Sequence, residues 1–168
     1  MKQASLLKHL RDILILPFTV TVIVPYCIYS RVEQFLPELA AVKITGLLIF
    51  LAGIWLFLVS VLLFVNEGKG TLAPWEPTQK LIIKGPYEYC RNPMITGVLF
   101  ILISEALLFH SMNIAIWATL FFCINTAYFI FKEEPDMEKR FGEGYRQYKT
   151  KVPRWIPNLK ANKPMDAG

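Results

Sequence analysis

The stretch that decides the fold is I-T-G-L-L-I-F-L-A-G-I-W-L-F-L-V-S-V-L-L-F-V at Ile44–Val65. It carries no charged residue and is long enough to cross a bilayer, which takes about 20 residues in a helix. Three further apolar blocks without Lys or Arg lie at Ile13–Tyr29, Met94–Phe109 and Ile114–Phe131. Because only helices and closed barrels satisfy their backbone groups in lipid, these blocks predict an all-α, polytopic membrane protein with about four transmembrane helices.

A cleaved signal peptide is the alternative for the first block. Pro17 and Pro25 interrupt the apolar run, and Arg31 and Glu33 follow it in place of a small-residue cleavage site. We therefore interpret the first block as a membrane span.

The basic residues are distributed unevenly between the two sides of the predicted membrane domain. Sixteen of the 18 Lys and Arg residues fall in the N-terminus, the second connection and the C-terminal tail, which four spans place on one side. The positive-inside rule makes that side, with both termini, cytoplasmic. The net charge of +5 is thus explained by contact with anionic membrane lipids, and a nucleic-acid partner is not expected.

The chain forms one predicted domain, residues 1–168, without internal repeats. Cys27, Cys90 and Cys123 show no paired spacing, so neither a disulfide nor a metal site is expected. In the second block, Gly46, Gly53 and Ser60 recur at heptad spacing, which predicts close helix packing in lipid.

The third and fourth blocks are joined by little more than His110–Asn113, so they form a tight hairpin. Glu105 lies about one turn from that end. It is interpreted either as a functional acid within the membrane, or as a side chain that reaches the interface or pairs with His110.

Two polar segments abut the apolar blocks on the predicted cytoplasmic side. The first is G-P-Y-E-Y-C-R-N-P-M-I-T-G at Gly85–Gly97, and the second begins with Glu133-Glu134-Pro135 and continues to Tyr145. Structured polar sequence beside a membrane span is costly unless something binds there. These segments therefore predict a binding site built from residues 70–97 and 132–157.

The local structure of the first segment follows from its turn-forming residues. Leu81-Ile82-Ile83 is a short apolar run typical of a strand, and Gly85-Pro86 predicts a turn. Asn92 is a candidate N-cap, with Pro93 at the first position of the third helix.

In the second segment, Pro135 is expected to break or kink the fourth helix, since proline lacks a donor and clashes with the preceding turn. Asp136–Lys149 predicts one or two short helices around Gly142 and Gly144, and Val152–Pro157 is expected to be extended.

Three features of the two segments suggest the chemistry of the ligand. Glu133 and Glu134 end a helix whose dipole is already negative there, so they need a cation, which is a ligand or one of Arg91, Arg140 and Lys132. Neighbouring residues point about 100° apart on a helix, so only one of the two faces a shared site. Tyr87 and Tyr89 can stack on a ring or face a cation. The amide groups at the start of the third helix suit a carboxylate. A ligand with a positive centre, an adenine, a ribose and a carboxylate would match all three features. S-adenosylmethionine has these four groups, although composition and spacing alone do not single it out.

Together, G-P-Y-x-Y-x-R-N-P at Gly85–Pro93, E-E at Glu133-Glu134, and F-G-E-x-Y-x-x-Y-K-x-x-V-P-R-W-I-P at Phe141–Pro157 resemble the isoprenylcysteine carboxyl methyltransferase family. Phospholipid methyltransferases share the same general pattern. The resemblance covers roughly Gly70–Pro157 and implies an integral membrane enzyme that uses S-adenosylmethionine.

Carried over position by position, the resemblance implies cofactor contacts from both polar segments. They are Gln79, Lys80, Leu81, Ile82, Tyr87, Asn92, Pro93, Met94, Ile95, Glu133 and Glu134. It names no catalytic residue, because the methyl group of the cofactor is already activated and the protein mainly positions the reactants.

The sequence departs from the prenylcysteine enzymes at three positions. Their His before the Pro is Asn92 here, as in bacterial-looking relatives, and their Tyr two residues after the Pro is Ile95. An Arg that helps to hold the substrate carboxylate is replaced by Phe129. The acceptor is therefore left open among a prenylcysteine-like carboxylate, a lipid and a small apolar molecule, and the expected location is a bacterial or archaeal inner membrane.

Two other functions fit parts of the sequence. A sterol-type membrane reductase that uses NADPH shares an R-x-P near a span and a C-terminal F-G-x-x-Y. A non-catalytic membrane scaffold would use the polar segments as solvated caps, with Glu133 and Glu134 paired to Arg140 and Lys132.

Overall fold

The computed structural model describes residues 14–30, 39–67 and 80–156, and these residues form helices and connecting segments without a strand. The helix α1 has π-helical turns at Leu14–Ile23 and α-helical turns at Val24–Ile28. It is followed by α2 (Ala40–Glu67), α3 (Pro93–Leu108) and α4 (Met112–Tyr128). A π-helical segment, Phe129–Glu133, joins α4 to α5 (Glu134–Lys151). The predicted all-α class is thus confirmed in the described part of the chain.

Two helices are long and apolar enough to cross a membrane, Ala40–Asn66 and Met112–Lys151, and the apolar part of the second ends at Phe131. Only 17% and 22% of their most apolar windows is buried inside the protein, so they are not the core helices of a soluble fold. The other two apolar helices, Leu16–Ile28 and Pro93–Leu108, are shorter. The structure therefore supports a membrane protein with two candidate spans, whereas the sequence predicted four.

The crossing of α2 and α3 depends on small residues. A Cβ added to Gly97 would lie 2.8 Å from the Phe57 nitrogen, and one added to Gly53 would lie 3.0 Å from the Gly97 oxygen. Ser60 is fully buried, and Gly46 faces Leu108. The predicted stripe of small residues thus lets the two backbones approach closely.

A tight turn joins α3 to α4, as predicted. His110 adopts a left-handed conformation with φ of 52°, and the Ser111 hydroxyl accepts a hydrogen bond from the Ile114 nitrogen to cap α4. Glu105 and His110 form no ion pair, since one carboxylate oxygen of Glu105 and both His110 ring nitrogens are buried without a hydrogen-bond partner. The proposed Glu105–His110 pair is therefore not part of the structure.

The first helix packs on α4 through two side-chain hydrogen bonds to its backbone. Trp117 Nε1 donates to the Val20 oxygen at 3.1 Å, and Asn113 Nδ2 donates to the Ile28 oxygen at 3.0 Å. The core between α3 and α4 is formed by Val98, Leu102, Ala118 and Phe121.

Pro135 was expected to break or kink the fourth helix; the helix does not end there, but its geometry changes directly before the proline. Pro135 lies in the first turn of α5, directly after the π-helical turns at Phe129–Glu133. Wider turns change which carbonyl faces the proline ring, so the ring and the missing N–H are accommodated without ending the helix.

The chain instead turns at Gly142, which has φ of 55° and ψ of −129°. In a straight helix Glu134 and Lys149 would lie about 22 Å apart, at 1.5 Å per residue. Their side chains are 3.1 Å apart, which shows that the second half of α5 folds back along the first. The prediction of two short helices around Gly142 is confirmed.

The segment before α3 packs against this folded-back α5. Leu81 and Ile83 contact a buried cluster of Tyr145, Tyr148 and Val152. Leu81-Ile82-Ile83 is not a strand, because no second strand lies in residues 14–30, 39–67 or 80–156 to pair with it. The predicted turn at Gly85-Pro86 is confirmed as a 3₁₀ turn, Gly85–Glu88.

Candidate functional site

The two polar segments meet at one end of the helical bundle, where α3 begins and α5 follows α4. Arg91 Nη1 lies 2.9 Å from Glu134 Oε1, which joins the first segment to the second. The Arg91 backbone N–H also donates to the Pro153 oxygen at 2.9 Å, and the Cys90 thiol donates to the Arg154 oxygen at 3.2 Å. We call this region the polar end.

At the polar end, Glu134 is buried and surrounded by cations. Besides Arg91, Arg154 Nε donates to Oε1 at 2.7 Å, and Lys149 Nζ lies 3.1 Å from Oε2. Burial acts to raise the pKa of the Glu134 carboxyl, but the Arg154 hydrogen bond and the Arg91 charge outweigh it and hold the pKa below its ordinary value. Both carboxylate oxygens of Glu134 are therefore engaged within the protein.

Glu133 differs from Glu134 in its burial, its ion pairing and the direction of its pKa shift. It is half-buried and has no ion pair with any other residue of the described ranges. Burial raises the pKa of Glu133 to about 7; the charge of Arg140 opposes this shift and that of Glu134 adds to it. A carboxylate with this environment gains from a cationic or hydrogen-bonding ligand.

Tyrosines form the wall beside Glu133. Burial raises the pKa of the Tyr87 phenol, and the nearby Glu133 carboxylate raises it further. The Tyr148 hydroxyl donates to the Tyr87 carbonyl oxygen at 2.6 Å and so fixes the turn that carries Tyr87. Burial also raises the pKa of Tyr145, against a hydrogen bond from Arg91.

The start of α3 supplies polar groups at the same end. Asn92 occupies the N-cap position, as predicted, but its side chain makes no capping hydrogen bond. The Thr96 nitrogen and hydroxyl both donate to the Asn92 carbonyl oxygen, at 3.0 and 2.9 Å. The Asn92 amide is thus not used for capping and can serve a ligand, as can the first N–H groups of α3, which have no acceptor within the helix.

Phe129, at the position where the resemblance expects a substrate-binding Arg, packs against an aromatic ring. Its ring is buried and lies 5.5 Å, between centroids, from the ring of Trp155. Trp155 in turn lies 5.0 Å from Phe122 on α4.

An apolar groove lies between α3 and α4. It has a volume of about 340 Å³ and is lined by Leu99, Ile103, Ala106, Leu107, Ala115, Ala118, Thr119 and Phe122. Thr119, the polar member, donates its hydroxyl to the Ala115 oxygen at 2.9 Å. The groove therefore presents hydrocarbon to whatever fills it.

The structure places the eleven predicted cofactor contacts in different environments. Tyr87, Asn92, Glu133 and Glu134 lie at the polar end, on either side of the Arg91–Glu134 ion pair. Ile95 packs against the core between α3 and α4, and Leu81 packs against the tyrosine cluster of α5. Ile82 and Pro93 are buried, Met94 is half-buried and Lys80 is exposed, while Gln79 lies outside the described residues.

Five residues of the polar end were not among the predicted cofactor contacts, although Arg91 was one of the three cations expected to pair with the two carboxylates. They are Arg91, Tyr145, Tyr148, Lys149 and Arg154. All five lie within the motifs that carried the family resemblance, so their presence in those motifs was the available signal. No group of three or more His, Cys, Asp or Glu side chains with the geometry of a metal site exists among residues 14–30, 39–67 and 80–156.

The two helices that are long and apolar enough to cross a membrane indicate a helical membrane protein, and the polar end is its candidate site. The phospholipid methyltransferase family model matches residues 41–144, which is more than half of the chain and includes both Glu133 and Asn92. The chain therefore belongs to the phospholipid methyltransferase family, and the resemblance predicted from the motifs is confirmed at family level. No curated protein and no solved structure matches the chain significantly.

Proposed function

We propose that this protein is an integral membrane methyltransferase that transfers a methyl group from S-adenosylmethionine to a lipophilic acceptor. The observation that carries the proposal is the environment of Glu133. This carboxylate is half-buried, has a raised pKa and lacks an ion pair within the described residues, and it lies near Tyr87. The residues of the polar end thus fit a ligand with a positive centre, hydroxyl groups and a flat ring.

Each group of the polar end has a role in this proposal. Glu133 would accept hydrogen bonds from the ribose hydroxyls or the ammonium group of the cofactor. Asn92 and the free N–H groups of Met94 and Ile95 would hold its carboxylate. Tyr87 would line the site on the side of the 3₁₀ turn, and the backbone at Leu81 and Ile82 would lie along the adenine.

The cofactor, when bound, supplies an activated methyl group, so the protein's own contribution is orientation and exclusion of water. Phe129 and Trp155 form an apolar wall between the polar end and the groove of α3 and α4. This wall favours an acceptor with a hydrocarbon chain. It offers no cation for the carboxylate of a prenylcysteine, which makes a lipid or another apolar molecule the better acceptor.

Binding of S-adenosylhomocysteine to the purified protein in detergent tests the cofactor half of the proposal. We expect Glu133→Gln to weaken binding about tenfold or more, because hydrogen bonds to a charged group contribute roughly 1.5–3 kcal/mol. Glu143→Gln is the matched control, since Glu143 is exposed on α5 and its one ion pair, with Arg146, is long at 3.8 Å.

The alternatives give different results in the same measurement. Binding of NADPH without binding of S-adenosylhomocysteine would identify the reductase. Binding of neither would favour the scaffold. Because the chain belongs to a methyltransferase family, the reductase and the scaffold are less well supported than the methyltransferase.

A further inference from the structure

The polar end contains a group of charged side chains that pair with one another around the buried carboxylate of Glu134. We call Arg91, Glu134, Lys149 and Arg154 the ion cluster. Their side chains are 9%, 6%, 38% and 24% exposed, respectively. They come from three segments: the loop before α3, the two halves of α5, and the chain after α5.

Within the ion cluster, three cations share the Glu134 carboxylate. Oε1 contacts Arg91 and Arg154, and Oε2 contacts Lys149. Lys149 also bonds to Glu138 at 2.8 Å. Both carboxylate oxygens of Glu134 are therefore engaged by cations of the protein, and the cluster carries more positive than negative charge.

The ion cluster also fixes the distance between the two halves of the site. Arg91 immediately precedes Asn92, and Glu134 immediately follows Glu133. Arg154 is held to the same loop, because Cys90 Sγ donates to its carbonyl oxygen at 3.2 Å. Consecutive residues of a helix point about 100° apart, so a Glu134 fixed by Arg91 and Arg154 sets the direction of the Glu133 side chain.

We propose that Glu134 is a positioning residue: it does not touch the cofactor, and through Arg91, Arg154 and Lys149 it holds Glu133 at a fixed place opposite the start of α3. The inference rests on the proposed function. It assigns different roles to two adjacent carboxylates that the sequence resemblance treats alike.

The two possible roles of Glu134 predict different effects of changing its cation partners. If Glu134 contacted the cofactor, replacing Arg154 would leave the affinity unchanged or increase it, because a carboxylate oxygen would be released. If Glu134 only positions Glu133, loss of either partner disrupts the same arrangement. The second loss then adds little to the first, as in other coupled ion-pair networks.

A double-mutant cycle on binding of S-adenosylhomocysteine tests this inference. We expect Glu134→Gln and Arg154→Gln each to raise the Kd about tenfold, and the double variant to raise it by no more than either change alone. Thermal unfolding of each variant without ligand shows whether it is folded, and Glu143→Gln is the control. If Glu134→Gln does not fold, Arg154→Lys takes its place in the comparison. It keeps the charge but not the planar fork of the guanidinium, so we expect an intermediate loss of affinity.

The pH dependence of the Kd gives a readout that loosening of the structure alone would not produce. The charge of Glu134 raises the pKa of Glu133. In Glu134→Gln the midpoint of binding should therefore move to lower pH, and in Arg154→Gln, where Glu134 is less neutralised, to higher pH. Equal midpoints in both variants would contradict a positioning role.

Two outcomes separate this inference from the proposed function. If the unmodified protein binds and Glu133→Gln weakens binding, but Arg154→Gln binds as the unmodified protein does, the positioning role is wrong and the methyltransferase remains. If the unmodified protein does not bind S-adenosylhomocysteine, both are wrong.

Discussion

At the scale of single residues, Glu133 makes the protein sensitive to pH near neutrality. The groups around it are Arg140 and Glu134 from α5, Tyr87 and Tyr145 from the wall, and Tyr128 at the end of α4. The pKa of the folded state is raised to about 7, from 4.5 for an ordinary Glu. The folded protein therefore keeps a proton that the unfolded chain releases.

We expect the stability of the ligand-free protein to fall as the pH rises from about 4.5 to about 7, by at most about 3 kcal/mol. The unfolded chain ionises first, and the buried proton is lost only as the pH passes the folded pKa. Affinity for the cofactor should change in the opposite direction and increase through pH 7, because the carboxylate form binds a cation. Denaturant unfolding and S-adenosylhomocysteine titrations between pH 5 and 8 measure the two trends, and Glu133→Gln should flatten both.

At the scale of secondary-structure elements, the fold-back of α5 depends on one glycine. Gly142 has a positive φ, which costs an L-residue roughly 1–2 kcal/mol, although a Cβ there would touch nothing within 4 Å. We expect Gly142→Ala to lower the thermal unfolding midpoint and to weaken S-adenosylhomocysteine binding, because Lys149 would be displaced from Glu134.

Gly144→Ala is the matched control for this change. Gly144 also has open space around its Cα, but its backbone is not in the left-handed region. Alanine there should leave stability unchanged or raise it by up to about 1 kcal/mol through helix propensity. Equal effects of the two substitutions on the unfolding midpoint would show that the fold-back does not require Gly142.

The local elements also show what the sequence could and could not predict. The hairpin of α3 and α4, the start of α3 at Pro93 and the small-residue crossing at Gly53 follow from short-range patterns. The Glu134–Lys149 pair could not be predicted, because it depends on a reversal of direction at Gly142. Pro135 was expected to break or kink the helix, and it lies directly after π-helical turns at Phe129–Glu133 without ending the helix.

The candidate site could likewise be predicted only in part, because some of its contacts join residues that are distant in sequence. The meeting of the two polar segments followed from their predicted location on one side of the membrane. The difference between Glu133 and Glu134 required knowledge of which cations lie nearby, and two of those, Lys149 and Arg154, are distant in sequence. The partner of Phe129, Trp155, is likewise a tertiary contact.

At the scale of the whole molecule, aromatic contacts join the groove between α3 and α4 to the residues after α5, because Phe122 lines the groove and packs against Trp155. We expect Thr119→Trp to fill the groove and to reduce labelling by a phosphatidylethanolamine with a photoreactive acyl chain severalfold, while the Kd for S-adenosylhomocysteine stays unchanged. Thr119 is exposed, so the larger side chain does not enter the core. The reason for the reduction is simple exclusion of the hydrocarbon chain from an apolar surface.

Ile124→Trp serves as the control, because Ile124 is 61% exposed on the same helix and does not line the groove. Its labelling should match that of the unmodified protein. If both tryptophan variants were labelled equally, the groove would hold general membrane lipid and not the acceptor.

The helix that runs from Met112 past Glu134, as far as the turn at Gly142, has a mechanical consequence for this arrangement. No loop separates its apolar part from Glu133 and Glu134, so a change in inclination reaches them through the π-helical turns at Phe129–Glu133. A helix that tilts to match a thinner bilayer swings its far end sideways, and here the far end carries the carboxylates. The distance between these carboxylates and the start of α3 therefore depends on the thickness of the surrounding bilayer.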